Sequence, residues 1–178
     1  MAPPQPVVPV KFLVAILWSD SERLADATQS LRERWGEFDF AGPDHPFDAT
    51  DYYVSEMGVG AQRRLVSFRQ LASPETLAEA KLVCNDIEDR WATPGGRRVN
   101  LDIGYLDLGK VVLASLKFAG QKIAIGQGVY ADLIGRYGQG KYRPFEWTFP
   151  DFRDGRYDGD LSEIRRLYRE QLRSREGR

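Results

Sequence analysis

Val10-Lys-Phe-Leu-Val-Ala-Ile-Leu-Trp18 is a nearly continuous apolar run, broken only by Lys11. A strand with one face in water alternates polar and apolar side chains, so such a run predicts a central strand covered on both faces. Ser19-Asp-Ser-Glu22 follows with the spacing of a capping box, in which a hydroxyl and a carboxylate satisfy first-turn amides reciprocally. Leu24, Ala27, Leu31 and Trp35 then recur at three- and four-residue steps. That spacing predicts a helix with one buried face, closed by Gly36.

Outward from this pair the pattern continues. Residues 37–60 are irregular, rich in Asp, Pro and aromatics. Arg64-Leu-Val-Ser-Phe-Arg69 predicts a strand with Leu65 on one face and Val66 and Phe68 on the other. Ser73-Pro74 supplies an N-cap with proline at the first helical position. Leu77, Ala80, Cys84, Ile87 and Trp91 mark the apolar stripe of a second helix, ended by Thr93-Pro-Gly-Gly96. Val99 to Gly104 alternates over a short strand, and Lys122 to Ile125 forms another. Lys110 to Lys117 reads as a strand through Val111 and Val112, or as a short helix. Val129 to Ile134 and Tyr142 to Trp147 flank a glycine-rich turn as a hairpin. Leu161, Ile164, Leu167 or Tyr168, and Leu172 define a last amphipathic helix.

If residues 37–60 hold one irregular strand, the order is strand-helix-strand-strand-helix-strand. This is an α+β class with a ferredoxin-like split βαβ core, extended by C-terminal β structure over 105–150 and a terminal helix. Right-handed crossovers place both core helices on one sheet face. Residues 10–174 then form a single α+β domain. The four prolines within residues 1–9 predict a disordered, extended tail, and residues 175–178 a flexible basic end.

The 178 residues carry 25 Lys and Arg against 26 Asp and Glu, a formal net charge of −1. No general cationic face is expected, which argues against a nucleic-acid partner. The single cysteine, Cys84, cannot form an internal disulfide, and one Cys with one His cannot build a four-ligand zinc site. Cys84 lies on a helical stripe and reads as a packed thiol. The N-terminal segment lacks the basic flank and apolar run of a signal peptide, and Phe12 to Trp18 is too short to span a bilayer. These features predict a cytoplasmic protein without a membrane partner.

Several segments could carry chemistry. Gly135-Arg-Tyr-Gly-Gln-Gly140-Lys141 satisfies the first seven positions of a P-loop, but Tyr142 replaces the magnesium-holding hydroxyl. The flanking strands call for a hairpin turn instead, so we reject the P-loop. Asp44 to Gly58 gathers Asp48, Thr50, Asp51, Tyr52 and Glu56 with His45, the only histidine. Its carboxylates could hold a hard cation such as magnesium or exchange protons beside His45. The simpler reading is a solvated connection whose Asp and Thr side chains bond their own backbone.

Asn100 and Asp102 project to one strand face, although both are poor strand formers. Such conflicts often mark functional sites, and the alternative is a strand edge facing water with Gly104 making a bulge. Tyr105, Lys110 and Lys117 follow, and either lysine could neutralise an anion. Trp147, Phe149 and Phe152 could stack on a ligand, or pin the C-terminal extension to the core. Arg165, Arg166, Arg169 and Arg173 read as a solvated face of the last helix.

Together, Phe12 to Asp20, Pro46 to Tyr53 with Glu56-Met-Gly58, Asn100 to Tyr105, Lys110 to Lys117, Gly128 to Ala131 and Trp147 to Asp151 resemble the family labelled domain of unknown function 4416. The resemblance runs from Lys11 to about Leu172 and implies a single cytosolic prokaryotic domain, with no activity to carry over. The residues themselves suggest a small-ligand-binding protein, or an enzyme, acting on an anionic or phosphorylated metabolite. Its candidates are Asp48, Thr50, Asp51, Tyr52 and Glu56 in one segment and Asn100, Asp102, Tyr105, Lys110 and Lys117 in the other. The alternative is a non-catalytic homodimeric interaction or regulatory domain.

Overall fold

The computed structural model describes residues 3–50, 57–92 and 96–176. Its elements are β1 (Lys11–Trp18), α1 (Ser21–Trp35), β2 (Phe38–Ala41), β3 (His45–Pro46), β4 (Gln62–Phe68) and α2 (Leu77–Arg90). They continue as β5 (Val99–Leu106), β6 (Lys110–Ser115), β7 (Ile123–Gly126), β8 (Val129–Gly138), β9 (Lys141–Pro144), α3 (Pro150–Arg153) and α4 (Asp158–Glu176). The fold is α+β, with four helices and one nine-stranded sheet among the described residues. The strand order is β2-β4-β1-β5-β6-β8-β7, with β3 on β4 and β9 on β8, and the paired strands run antiparallel.

β1 lies inside the sheet, between β4 and β5, and its two faces pack into different layers. Phe12, Val14 and Ile16 join Leu24, Ala27 and Leu31 of α1 and Leu77, Ala80, Cys84 and Ile87 of α2 in one core. Leu13 and Ala15 join Leu161, Ile164 and Tyr168 of α4 in the other. Leu65 falls on the α4 side, and Val66 and Phe68 fall on the α1/α2 side. Period-two alternation therefore carries helices on both faces, which is why β1 has no polar face to show.

Some expectations needed correction. Asp20, not Ser19, caps α1: its Oδ1 accepts the Glu22 amide at 2.9 Å and the Arg23 amide at 3.2 Å. Ser19 instead donates its backbone N–H to Arg98, continuing the extended chain, and a carboxylate at the cap gains from the helix dipole as well. Lys110 to Lys117 forms strand β6, because Val111 and Val112 alternate onto the two faces. Irregular residues 37–60 contain two short strands, β2 and β3, rather than one. The glycine-rich stretch ends β8 and turns into β9, with Gln139 and Gly140 at φ of 53° and 88°. β9 stops at Pro144, and Trp147 lies beyond it, stacked on Phe145 and donating to the Leu133 carbonyl.

The expected water-facing edge at residues 99–104 is also overturned, since β5 lies between β1 and β6. Gly104 makes no bulge there; its register with β1 is continuous through Leu13. Its role is close approach. A Cβ at Gly104 would lie 2.0 Å from the Val112 carbonyl oxygen and 2.7 Å from a Leu113 methyl carbon. Pairing of β5 with β6 runs from Leu106 back to Gly104, and beyond it the strands part. Gly104→Ala should therefore destabilise the protein by about 3 kcal/mol in urea unfolding, since overpacking must push the strands apart. Gly138→Ala, which meets nothing within 4 Å, should stay within about 0.5 kcal/mol of the parent.

Candidate functional site

Where β5 and β6 part, α2 supplies what a neighbouring strand would have given. The Leu101 N–H donates to the Glu88 carboxylate at 2.7 Å, and the Lys81 ammonium donates to the Leu101 carbonyl at 3.0 Å. Lys81, Asn85 and Glu88 are spaced to share one side of α2, so a polar stripe faces the parted strands. Burial pushes the Glu88 carboxyl above its usual range, while Lys81, the Leu101 amide and Arg97 draw it back. Arg97 bonds the second Glu88 oxygen at 2.5 Å.

A cavity of about 490 Å³ opens at this place. Asn100 and Asp102 enter it from β5, because Val99, Leu101 and Ile103 take the α1/α2 face and the alternate residues take the other. Arg63 enters from β4 on the face shared with Leu65. Its buried guanidinium donates to Asp151 at 2.5 Å and to Asp102 at 3.2 Å, and lies 4.6 Å from the Phe47 ring centroid. Tyr157 adds a bond to Asp151 at 2.9 Å. Both burial and the Asp151 charge hold that phenol above its usual range.

On the far wall, Lys122 donates to the Ser115 hydroxyl at 2.9 Å and pairs with Asp132 at 3.5 Å. Leu113, Phe149 and Pro150 supply apolar lining, and Thr50 and Lys117 also reach the cavity. Two polar atoms on these walls find no hydrogen-bond partner among the described residues: Asn100 Nδ2 and Asp132 Oδ1. Their residues are only 6% and 4% exposed. A buried unsatisfied polar group costs about 1–3 kcal/mol, so a fold that keeps two in one cavity has left them for something else to bond.

Of the residues expected from sequence, Thr50, Asn100, Asp102 and Lys117 meet in this cavity. Asp48 does not line it; it is exposed and pairs with Arg156. Tyr105 packs on the α1/α2 side, and Lys110 pairs with Asp107, both away from the cavity. Asp51, Tyr52 and Glu56 lie outside the described residues. His45 sits 3.1 Å from Asp160 and edge-on to Tyr157, not in the cavity, so it cannot serve there as the base considered above. Among the described residues no cluster of three or more His, Cys, Asp or Glu side chains is placed to hold a metal ion. Cys84 is fully buried, and its burial raises the thiol well above the reactive range.

Sequence reasoning missed Arg63, Lys81, Asn85, Glu88, Arg97, Ser115, Lys122, Asp132 and Asp151. Some signal existed. Arg63 lies two residues before buried Leu65, and Asp132 sits between Ala131 and Leu133 in an apolar strand. Lys81 and Glu88 flank Cys84 on a stripe otherwise read as core.

A family model described as a domain of unknown function, DUF4416, matches residues 8–168. No curated protein and no solved structure matches the chain.

The Arg63 network has an unequal division of labour. Asp151 is buried, whereas the Asp102 side chain is 19% exposed and holds Arg63 by the longer bond. Asp151→Ala should cost about 3–5 kcal/mol in urea unfolding, because it strands a buried guanidinium. Asp102→Ala should cost about 1 kcal/mol, since Arg63 keeps its bond to Asp151. The reverse ranking would show that β5, not the segment around α3, anchors the arginine.

Proposed function

We propose that this chain, which belongs to the DUF4416 family of domains of unknown function, binds a small anionic metabolite in the cavity between β5 and β6. The observation that carries the reading is the pair of buried, unpartnered polar atoms, Asn100 Nδ2 and Asp132 Oδ1, on its walls. The cavity volume suits a small molecule, and its lining combines apolar walls with a few convergent polar groups. Lys117 and Arg97 supply positive charge toward the ligand, and Thr50 supplies a hydroxyl. Should the protein also catalyse, proton exchange falls to Asp102, the most exposed of the cavity carboxylates in ion pairs.

The scaffold we read as ferredoxin-like. The strand order β2-β4-β1-β5, with α1 following β1 and α2 following β4 on one face, supports it. We place the protein in the cytoplasm as a single domain: its one cysteine is buried and free, and no described helix is long and apolar enough to cross a membrane. A second reading, association with another copy, draws on β7 at the sheet end, where Ile123 and Ile125 are exposed.

Thermal unfolding with a panel of carboxylate and phosphate metabolites, with and without magnesium, tests the binding reading. A compound present at a hundred times its Kd should stabilise the wild type by about 2.7 kcal/mol. Asn100→Leu should raise the ligand-free stability by about 1 kcal/mol, by removing an unsatisfied amide, and should abolish the ligand-induced shift. If no compound in the panel stabilises the wild type, the reading fails.

A further inference from the structure

The geometry points to a narrower ligand class: we infer that the cavity takes a monoanionic hydroxylated carboxylate, a sugar acid, rather than a phosphomonoester or an amine. The inference rests on the cavity being a ligand site. Asn100 Nδ2 can only donate and Asp132 Oδ1, in a carboxylate paired with Lys122, can only accept. A ligand that satisfies both must offer an acceptor and a donor. Neighbouring hydroxyls offer both from one kind of group.

Charge narrows the choice further. Asp132 already faces Lys122 at 3.5 Å, so a cationic donor would meet an ammonium beside the carboxylate it sought. This disfavours an amine. Among the described residues the cavity gathers five cations, and four carboxylates face them once Glu88, paired with Lys81 and Arg97, is included. Five less four leaves a formal +1. One negative charge on the ligand brings the site to neutrality. A phosphomonoester carries about −1.5 to −2 at pH 7 and would leave an excess of buried negative charge. Phe149 and Pro150 offer an apolar surface for the C–H face of a sugar chain, as carbohydrate sites require of their walls.

Titration calorimetry of the full chain with four six-carbon probes decides the matter: D-gluconate, D-glucose 6-phosphate, D-glucosamine and D-glucose. Gluconate should bind at least tenfold more tightly than each of the others. Asp132→Asn raises the formal charge to +2 and should shift the preference about tenfold toward glucose 6-phosphate, a change that a purely structural role for Asp132 would not produce. Lys117→Gln lowers the charge to zero and should bring gluconate down to the level of glucose. Tighter wild-type binding of glucose 6-phosphate or glucosamine would overturn the class while leaving the cavity reading intact. Failure of all four probes would also overturn it, and the wider metabolite panel would then judge the cavity separately. An Asp132→Asn protein that folds but keeps the wild-type preference would remove the charge argument.

Discussion

The parting of β5 from β6 at Gly104 is the constraint on which the site depends. Two neighbouring strands in a sheet normally exhaust each other's backbone hydrogen bonds, leaving no room between them. Here the ladder ends at Gly104 and Leu113, and the Leu101 amide and carbonyl turn instead to Glu88 and Lys81. The glycine permits the tight contact that begins the divergence, and the helix permits the divergence to persist without orphaned backbone groups. A cavity opens inside the sheet without a broken strand. Each part needs the other: without α2 the strand would lose its partners, and without the opening the polar stripe of α2 would be buried to no purpose.

The charges around the cavity follow the rule that buried ions survive only in company. Arg63 rests between Asp151 and Asp102, Lys81 and Arg97 share Glu88, and Lys122 faces Asp132. Desolvation of such groups is expensive, and replacing them with packed hydrophobic side chains often leaves a protein equally stable or more so. The network is therefore poorly explained as a device for stability. It holds polar groups at fixed positions in a place with little water, where electrostatic and hydrogen-bonding interactions are stronger than at a surface. The unsatisfied atoms of Asn100 and Asp132 sit within that frame.

Much of the scaffold was legible in the chain. The unbroken apolar run of β1 required cover on both faces, and α1 and α2 on one side with α4 on the other provide it. The stripes of Leu24, Ala27 and Leu31, and of Leu77, Ala80, Cys84 and Ile87, mark the buried faces correctly, because helical periodicity is local. Between Leu167 and Tyr168, the structure selects Tyr168 as the buried residue. The Asn100 and Asp102 pair stood out because two poor strand formers in a strand conflict with propensity, and both do line the cavity. Tyr105 and Lys110 were grouped with them by proximity in sequence, yet Lys110 turns to Asp107 three residues away.

The amino-acid sequence by itself determined the α+β class, the two-faced central strand and the inward sides of the helices, since these follow from periodicities of two and 3.6 residues. The tertiary structure alone decided the site. Arg63 meets Asp151 across 88 residues and Lys81 meets Leu101 across 20, distances over which no local pattern runs. Arginine, lysine and glutamate on half-apolar elements look like ordinary solvated residues until the sheet opens and shows which of them it has enclosed. Burial is a property of the packed layers, and it is burial that turns these common side chains into a site.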